Sequence, residues 1–211
     1  STQAYFKAGD PIWVDVNGNY IIDEKDKVIV GNSQPRMTGG ISINLRYKAF
    51  SINTNCSFTL RRDIINKALA DRFRAYGTPV AGKVNLTSSG ALTPIEAYNF
   101  WTEDNIYAQY PNPFDYTRSS IIQPFRYDQT LFMEDGSYFK INGISVAYTI
   151  PKKMLDFFRI SRCQLNFSMN NIYTFSKYSG INPENVNNLG YDTSSGYPNG
   201  RTVTFGVSMD F

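Results

Sequence analysis

The sequence predicts an all-β chain: antiparallel strands from the wall of a transmembrane β-barrel, joined in part by long loops that carry short helices. Three observations point there. Residues Thr202 to Phe211 alternate apolar and polar without a miss, so on a strand Val203, Phe205, Val207, Met209 and Phe211 form one apolar stripe. Thr202, Thr204, Gly206, Ser208 and Asp210 face the other way. Aromatic residues make up 15% of the 211, with 15 Tyr and 15 Phe, more than a core of this size needs. Barrels place such rings in girdles at both edges of their apolar band, where a Tyr keeps its ring in the interface and its hydroxyl in water. Finally, the connections between strand-like segments are very unequal in length, and they sort by length onto opposite ends.

In chain order, residues 1–40 read as an extracellular loop. Ile41, Ile43, Leu45 and Tyr47 then share one face of a strand that turns at Lys48-Ala49. Phe50, Ile52, Thr54, Cys56, Phe58 and Leu60 answer on the next, which makes 41–60 a hairpin. Residues 61–137 form a long extracellular loop. Inside it Asp63 is placed to cap a helix carrying Ile65, Leu69, Arg72 and Tyr76 and stopping at Gly77. Thr93-Pro94-Ile95-Glu96 reads as a capping box with Pro at the first helical position. Both are expected to be small surface helices. The stretch 138–176 is a second hairpin. Its first strand holds Phe139 and Ile141, a bulge at Asn142-Gly143, then Ile144, Val146, Tyr148 and Ile150, and Pro151 ends it. In its second, Cys163, Leu165, Phe167 and Met169 alternate with Gln164, Asn166, Ser168 and Asn170. Residues 177–201 are another extracellular loop and 202–211 the terminal strand. Counting back from Phe211 through antiparallel strands puts both short connections at one end and both long ones at the other. Outer-membrane barrels sort short periplasmic turns from long external loops in this way.

Composition removes several function classes. With no His, triads that need an imidazole, His-ligated zinc and haem are excluded. The formal charge of +3 is spread along the chain and leaves no nucleic-acid footprint. No apolar run approaches the ~20 residues of a spanning helix, which is no objection to a barrel. Ser1-Thr2-Gln3 has no signal-peptide character, so residue 1 is expected not to be where synthesis began. Cys56 and Cys163 fall on apolar stripes as small lipid- or core-facing residues, with a disulfide as the alternative. Asp23 with Asp26 and Glu134 with Asp135 are neighbours in turns, whereas glycosidase chemistry needs two carboxylates opposed across a cleft. No nucleophile or phosphate loop accompanies them, and no enzyme is expected.

Two candidate sites remain. Asp15, Asn17, Asn19, Ile21, Asp23 and Asp26 have the oxygen-donor spacing of a calcium loop. Tyr20, however, stands where such loops want Gly, and Asp26 replaces a longer bidentate Glu. A structural calcium ion and a hydrogen-bonded Asx-rich turn both stay open; no other cofactor is expected. In the long loop Tyr98, Phe100, Trp101, Tyr107, Tyr110, Phe114 and Tyr116 gather. Tyr98, Trp101, Tyr107 and Tyr110 are the candidates for contact with a sugar-like substrate or a partner protein, against the plainer reading that most of these rings pack the loop onto itself.

Five strands cannot close around a lumen, since membrane barrels begin at eight, and open edges in lipid leave backbone groups unsatisfied. The chain is therefore expected to be the carboxyl-terminal portion of something larger. Its landmarks agree: Asp15 to Asp26, Gly31-Asn32, Thr38-Gly39-Gly40, Tyr47 to Phe50, Trp101 to Asn105, Glu134 to Tyr138, Tyr148 to Lys153, Asn170 to Tyr178, and Tyr197-Pro198 with Arg201-Thr202. In this order and spacing the sequence resembles the carboxyl-terminal part of SusC/RagA-type TonB-dependent outer-membrane transporters. Thr204, Gly206, Met209 and Phe211 likewise resemble the terminal assembly signal of bacterial outer-membrane barrels.

The resemblance implies the last five or so strands of a barrel of about twenty-two, with a plugged lumen. It also implies active import of nutrient oligomers, glycans or peptides, with a SusD-like surface lipoprotein as lid and TonB engaging a segment outside this chain. Outer-membrane lipid would surround the wall. The alternatives are a soluble or surface-attached β-sandwich that binds glycans, with its aromatic stripes buried between two sheets, and a porin-like barrel without energy coupling.

Overall fold

The computed structural model describes residues 6–76, 79–80, 83–84, 97–113, 122–158, 160–192 and 198–211. Among these described residues nine strands are assigned: β1 (Met37–Tyr47), β2 (Phe50–Leu60), β3 (Asp63–Ile65), β4 (Pro79–Val80), β5 (Lys83–Val84), β6 (Met133–Asp135), β7 (Tyr138–Thr149), β8 (Arg162–Ser176) and β9 (Thr202–Asp210). Among the described residues they are accompanied by the α-helices α1 (Lys67–Tyr76) and α2 (Lys152–Leu155). Five strands make one antiparallel sheet in the order β1-β2-β7-β8-β9, while β3 with β6 and β4 with β5 form separate ribbons. The sheet is thus an up-and-down meander, and the short strands of the long connection do not enter it. Both short connections lie at one end of the sheet and both long ones at the other, as parity requires.

Register carries the alternation of each strand into rows across the sheet. Leu45, Ile52, Val146, Phe167 and Phe205 are successive partners on β1, β2, β7, β8 and β9, and Tyr47, Phe50, Tyr148, Leu165 and Val207 form the next row. One residue along, Asn44, Asn53, Ser145, Ser168 and Thr204 make a polar row on the opposite face. The bulge expected at Asn142-Gly143 is present as a register shift between Cys56 and Asn55 against β7. It is needed because the apolar residues of β7 change parity there, from Phe139 and Ile141 to Ile144 and Val146. Against β8 the same shift is answered at Asn171, whose φ of 56° is left-handed. Beyond it Tyr173 and Phe175 continue the apolar face, opposite Ile141 and Phe139. β8 accordingly runs six residues past the alternating segment visible in the sequence.

The apolar face is not covered by a second sheet among the described residues. Val203 is 60% and Phe205 68% exposed, and Ile41, Ile43 and Leu45 are exposed as well. A sandwich would have buried these residues between two sheets, so the glycan-binding sandwich finds no support in the fold. Cys56 and Cys163 are unpaired and lie on this apolar face, opposite Ile141 and Met209.

The chain divides into two compact units. The meander belongs to the unit made of Asn32–Asp63, Asp135–Asn185 and Ser195–Phe211; the other joins Ser1–Gly31, Ile64–Glu134 and Val186–Ser194. In this second unit α1 departs from expectation in two ways. Asp63 does not cap it: the Asp63 carboxylate accepts the Asn32 N–H, and Ile64 and Ile65 are extended in β3. The cap is Asn66, whose side-chain oxygen accepts the Leu69 N–H at 3.0 Å. Nor is α1 a small surface helix, since Leu69, Ala70 and Phe73 are buried in a core with Phe100, Phe125 and Phe132. Of the stripe expected from sequence, Leu69 lies in this core and Ile65 packs against it from β3, whereas Arg72 is exposed and the buried side runs through Ala70 and Phe73.

Candidate functional site

The sheet contributes its polar face. Along β1 and β2 the Ser42 hydroxyl donates to the Asn55 side-chain oxygen at 2.9 Å, the Asn55 amide donates to Asn53 at 3.1 Å, and the Asn53 amide donates to Asn44. Ser57 donates in turn to Asn142 at the bulge. A shallow groove of about 450 Å³ runs over this face, lined by Asn44, Arg46, Ser51, Asn53, Ser145 and Asn166 among others. Amides and hydroxyls that bond one another along the strands give a rigid, mostly neutral surface. It suits a water-filled or protein-filled lumen, and lipid could not satisfy it.

At the long-connection end of the polar face, Lys140 is buried and its ammonium pairs with the Glu184 carboxylate. The Arg62 guanidinium donates to the Pro183 carbonyl and lies 6.0 Å from the Tyr138 ring centre. One cation of β7 and one just past the end of β2 thus hold the connection after β8 at residues 183 and 184. No motif announces this pair; the residues are 44 and 121 positions apart in sequence.

The aromatic residues of the long loop separate by role. Phe73 of α1 is the hub, with its ring centroid 4.9 Å from Tyr98, 4.8 Å from Phe100, 4.9 Å from Tyr110 and 5.4 Å from Phe125, all edge to face. Such pairs each add about 0.5–1.5 kcal/mol beyond area burial, so Tyr98 and Tyr110 are holding the loop together. Burial also raises the Tyr110 phenol above its ordinary range. Trp101 covers Gly9 so closely that a Cβ there would sit 2.7 Å from the indole. Tyr107 is different: it is 91% exposed. Of the four candidates for contact, the structure leaves Tyr107 open, uses Tyr98 and Tyr110 in the core and sets Trp101 between the two. Phe114, Tyr116 and the capping box at Thr93 lie outside the described residues.

The loop at 15–26 is knit by Asx hydrogen bonds. The Asp15 carboxylate accepts the N–H groups of Gly18 and Tyr20 at 2.7 Å each, Asn17 accepts that of Asn19, and Asn19 that of Ile21. Asp26 closes the loop by accepting from Asp23 and Val16, and these backbone N–H groups, Asp23 foremost, hold its carboxyl below the usual carboxylate range. Tyr20 stands at φ 62°, the left-handed position that a calcium loop gives to Gly. Among the described residues no three acidic, Cys or His side chains converge as a metal would require. The oxygens that either reading of this loop needs are here engaged by backbone N–H groups.

Thr204 and Gly206 lie on the polar face of β9 and Met209 on the apolar face; Phe211 follows the strand and is largely exposed. Among the described residues no helix is long and apolar enough to cross a membrane, which leaves crossing by strands untouched.

No family model matches the chain. It is 29% identical to TonB-dependent receptor P3 of Formosa agariphila over 96% of its residues, and 24% identical to TonB-dependent receptor SusC of Bacteroides thetaiotaomicron over 99%. In both cases it spans 19% of the relative's length. Among solved structures, the RagAB peptide importer in its closed-closed state superposes on 96% of the chain with a TM-score of 0.63 at 21% identity, covering 21% of that protein. A second structure of the RagAB peptide transporter superposes on 90% with the same score. Sequence and fold agree on SusC/RagA-type TonB-dependent receptors as the relatives of this chain, and its meander is a stretch of outer-membrane β-barrel wall.

Proposed function

We propose that the chain is the wall and loop portion of an active outer-membrane importer of nutrient oligomers, glycans or peptides. In this reading the apolar rows face lipid, the Asn and Ser ladder faces the lumen, and the long connections are extracellular. A SusD-like surface lipoprotein closes the mouth above them. TonB drives the cycle through a segment outside these residues, and Tyr107 with its neighbours in the loop at 97–113 is offered to the lipoprotein or the substrate. The observation that carries the proposal is the meander itself: five strands with one face mainly apolar and not covered by a second sheet among the described residues, the other polar and hydrogen-bonded, and long connections confined to one end.

The test is uptake. Cells lacking the full-length protein should lose growth on a polymeric nutrient while still growing on its monomer, and the protein should copurify with a lipoprotein. Unchanged growth on every polymer tried, together with a monodisperse and detergent-independent full-length protein, would replace import by a soluble binding role.

A further inference from the structure

The short-turn end of the meander carries a feature that barrel closure does not need. α2 and the 3₁₀ turn Asp156–Phe158 fill the connection between β7 and β8, and α2 lies against the start of β8. Leu155 is buried, and Cys163, on the apolar face, is only 5% exposed although Phe167 on the same face is 41% exposed. That contrast sets the connection over the apolar side of the sheet's end. From there Met154 and Phe157, three residues apart and so on one side of the turn, stand 64% and 88% exposed. Lys152 and Lys153 are exposed beside them. Thr149 donates to the Ala49 carbonyl, which brings the neighbouring hairpin turn alongside, and Lys48 of that turn extends 5.2 Å from the Tyr47 ring centre. Arg162 opens β8 at the same end, whereas Asp156 and Asp210 are the acidic side chains there among the described residues.

We propose that this end is a docking surface for anionic phospholipid headgroups, with Met154 and Phe157 inserted at the acyl boundary and Lys48, Lys152 and Lys153 on the phosphates. Continuity decides the occupant. The turn adjoins the row of Tyr47, Phe50 and Tyr148, where an aromatic girdle meets the headgroups, so its exposed apolar pair reaches the same layer. Charge complementarity decides the headgroup: an amphipathic turn with cations beside its apolar side is held by buried apolar area plus attraction to anionic lipid. The inference rests on the barrel reading and names the leaflet on the short-turn side.

The experiment uses the full-length protein in bilayers of zwitterionic lipid with or without phosphatidylglycerol. Lipid retained through purification is counted by native mass spectrometry. Wild type should retain phosphatidylglycerol in preference to zwitterionic lipid. The double variant Lys152→Ser, Lys153→Ser should lose about tenfold of that preference at low salt, and less at high salt. In parallel, Trp placed by Phe157→Trp and by Phe205→Trp is exposed to brominated acyl chains. Quenching of both, with the lysine-dependent preference, supports the proposal. Quenching at position 205 with none at 157, or equal lipid preference in wild type and variant, overturns it and leaves the barrel intact. No quenching at 205 would instead defeat the barrel reading.

Discussion

At the scale of single residues, hydrogen-bond partners decide what the acidic groups do. Asp15 and Asp26 give their oxygens to backbone N–H groups of their own loop, and on that ground we expect the loop to keep its shape without an ion. Calcium at millimolar concentration should then give no heat on calorimetric titration of the full-length protein. A saturable signal abolished by Asp15→Asn would contradict this. Asp128 is engaged differently. Arg126 donates to both of its oxygens, at 2.9 and 2.6 Å, and this bidentate bond, with Lys27 nearby, draws the carboxyl down to about 2 from 3.8. A carboxyl lowered by folding stabilises the fold fully above its ordinary range, and that contribution is lost as pH falls through about 2. Both side chains are partly exposed, so solvent screening leaves the pair about 1 kcal/mol at neutral pH. Melting of wild type and Asp128→Asn should differ by that amount at pH 6 and converge near pH 2, and a constant gap would refute the assignment.

At the scale of elements, α1 and its rings test whether the long loop is a packed body. Phe73→Ala should cost about 3–5 kcal/mol of local stability, seen as early proteolysis confined to the connection between β2 and β7. Tyr107→Ala should leave that protection unchanged and weaken only partner or substrate binding. Equal protease sensitivity in the two variants would mean that the ring cluster does not hold the loop. How much of this was legible in sequence follows from which interactions are local. Strand β2 was bounded correctly because period-two alternation is a backbone property, and the bulge at Asn142 because parity changes within one strand. β1 begins at Met37, earlier than its alternation, because Gly39 and Gly40 carry no side chain to alternate. β8 outran its pattern because the left-handed Asn171 resets it. The cap at Asp63 was misplaced because Asp63 and Asn66 are both good caps, and only the distant partner Asn32 decides between them. Lys140 with Glu184 was beyond local reasoning altogether, since a long-range ion pair leaves no spacing to read.

At the scale of the whole molecule, the claim is that the two faces of one sheet meet different solvents, and adjacent residues of β9 can put it to the test. Phe205 lies in the apolar row with Phe167, Val146, Ile52 and Leu45, while Thr204 lies in the polar row with Ser168, Ser145, Asn53 and Asn44. A lysine costs about 2–4 kcal/mol on a lipid face at mid-membrane and little in a lumen. Phe205→Lys in the full-length protein should therefore deplete the folded, heat-modifiable form from the outer membrane, whereas Thr204→Lys should leave it near wild-type amounts. A soluble sheet packed by its polar face reverses this order, and one packed by its apolar face keeps it but yields no heat-modifiable form in the outer membrane for either variant. The ratio of folded protein between these two variants in the outer-membrane fraction thus reads the solvent on each side of the strand, with sequence position and the introduced side chain all but held constant.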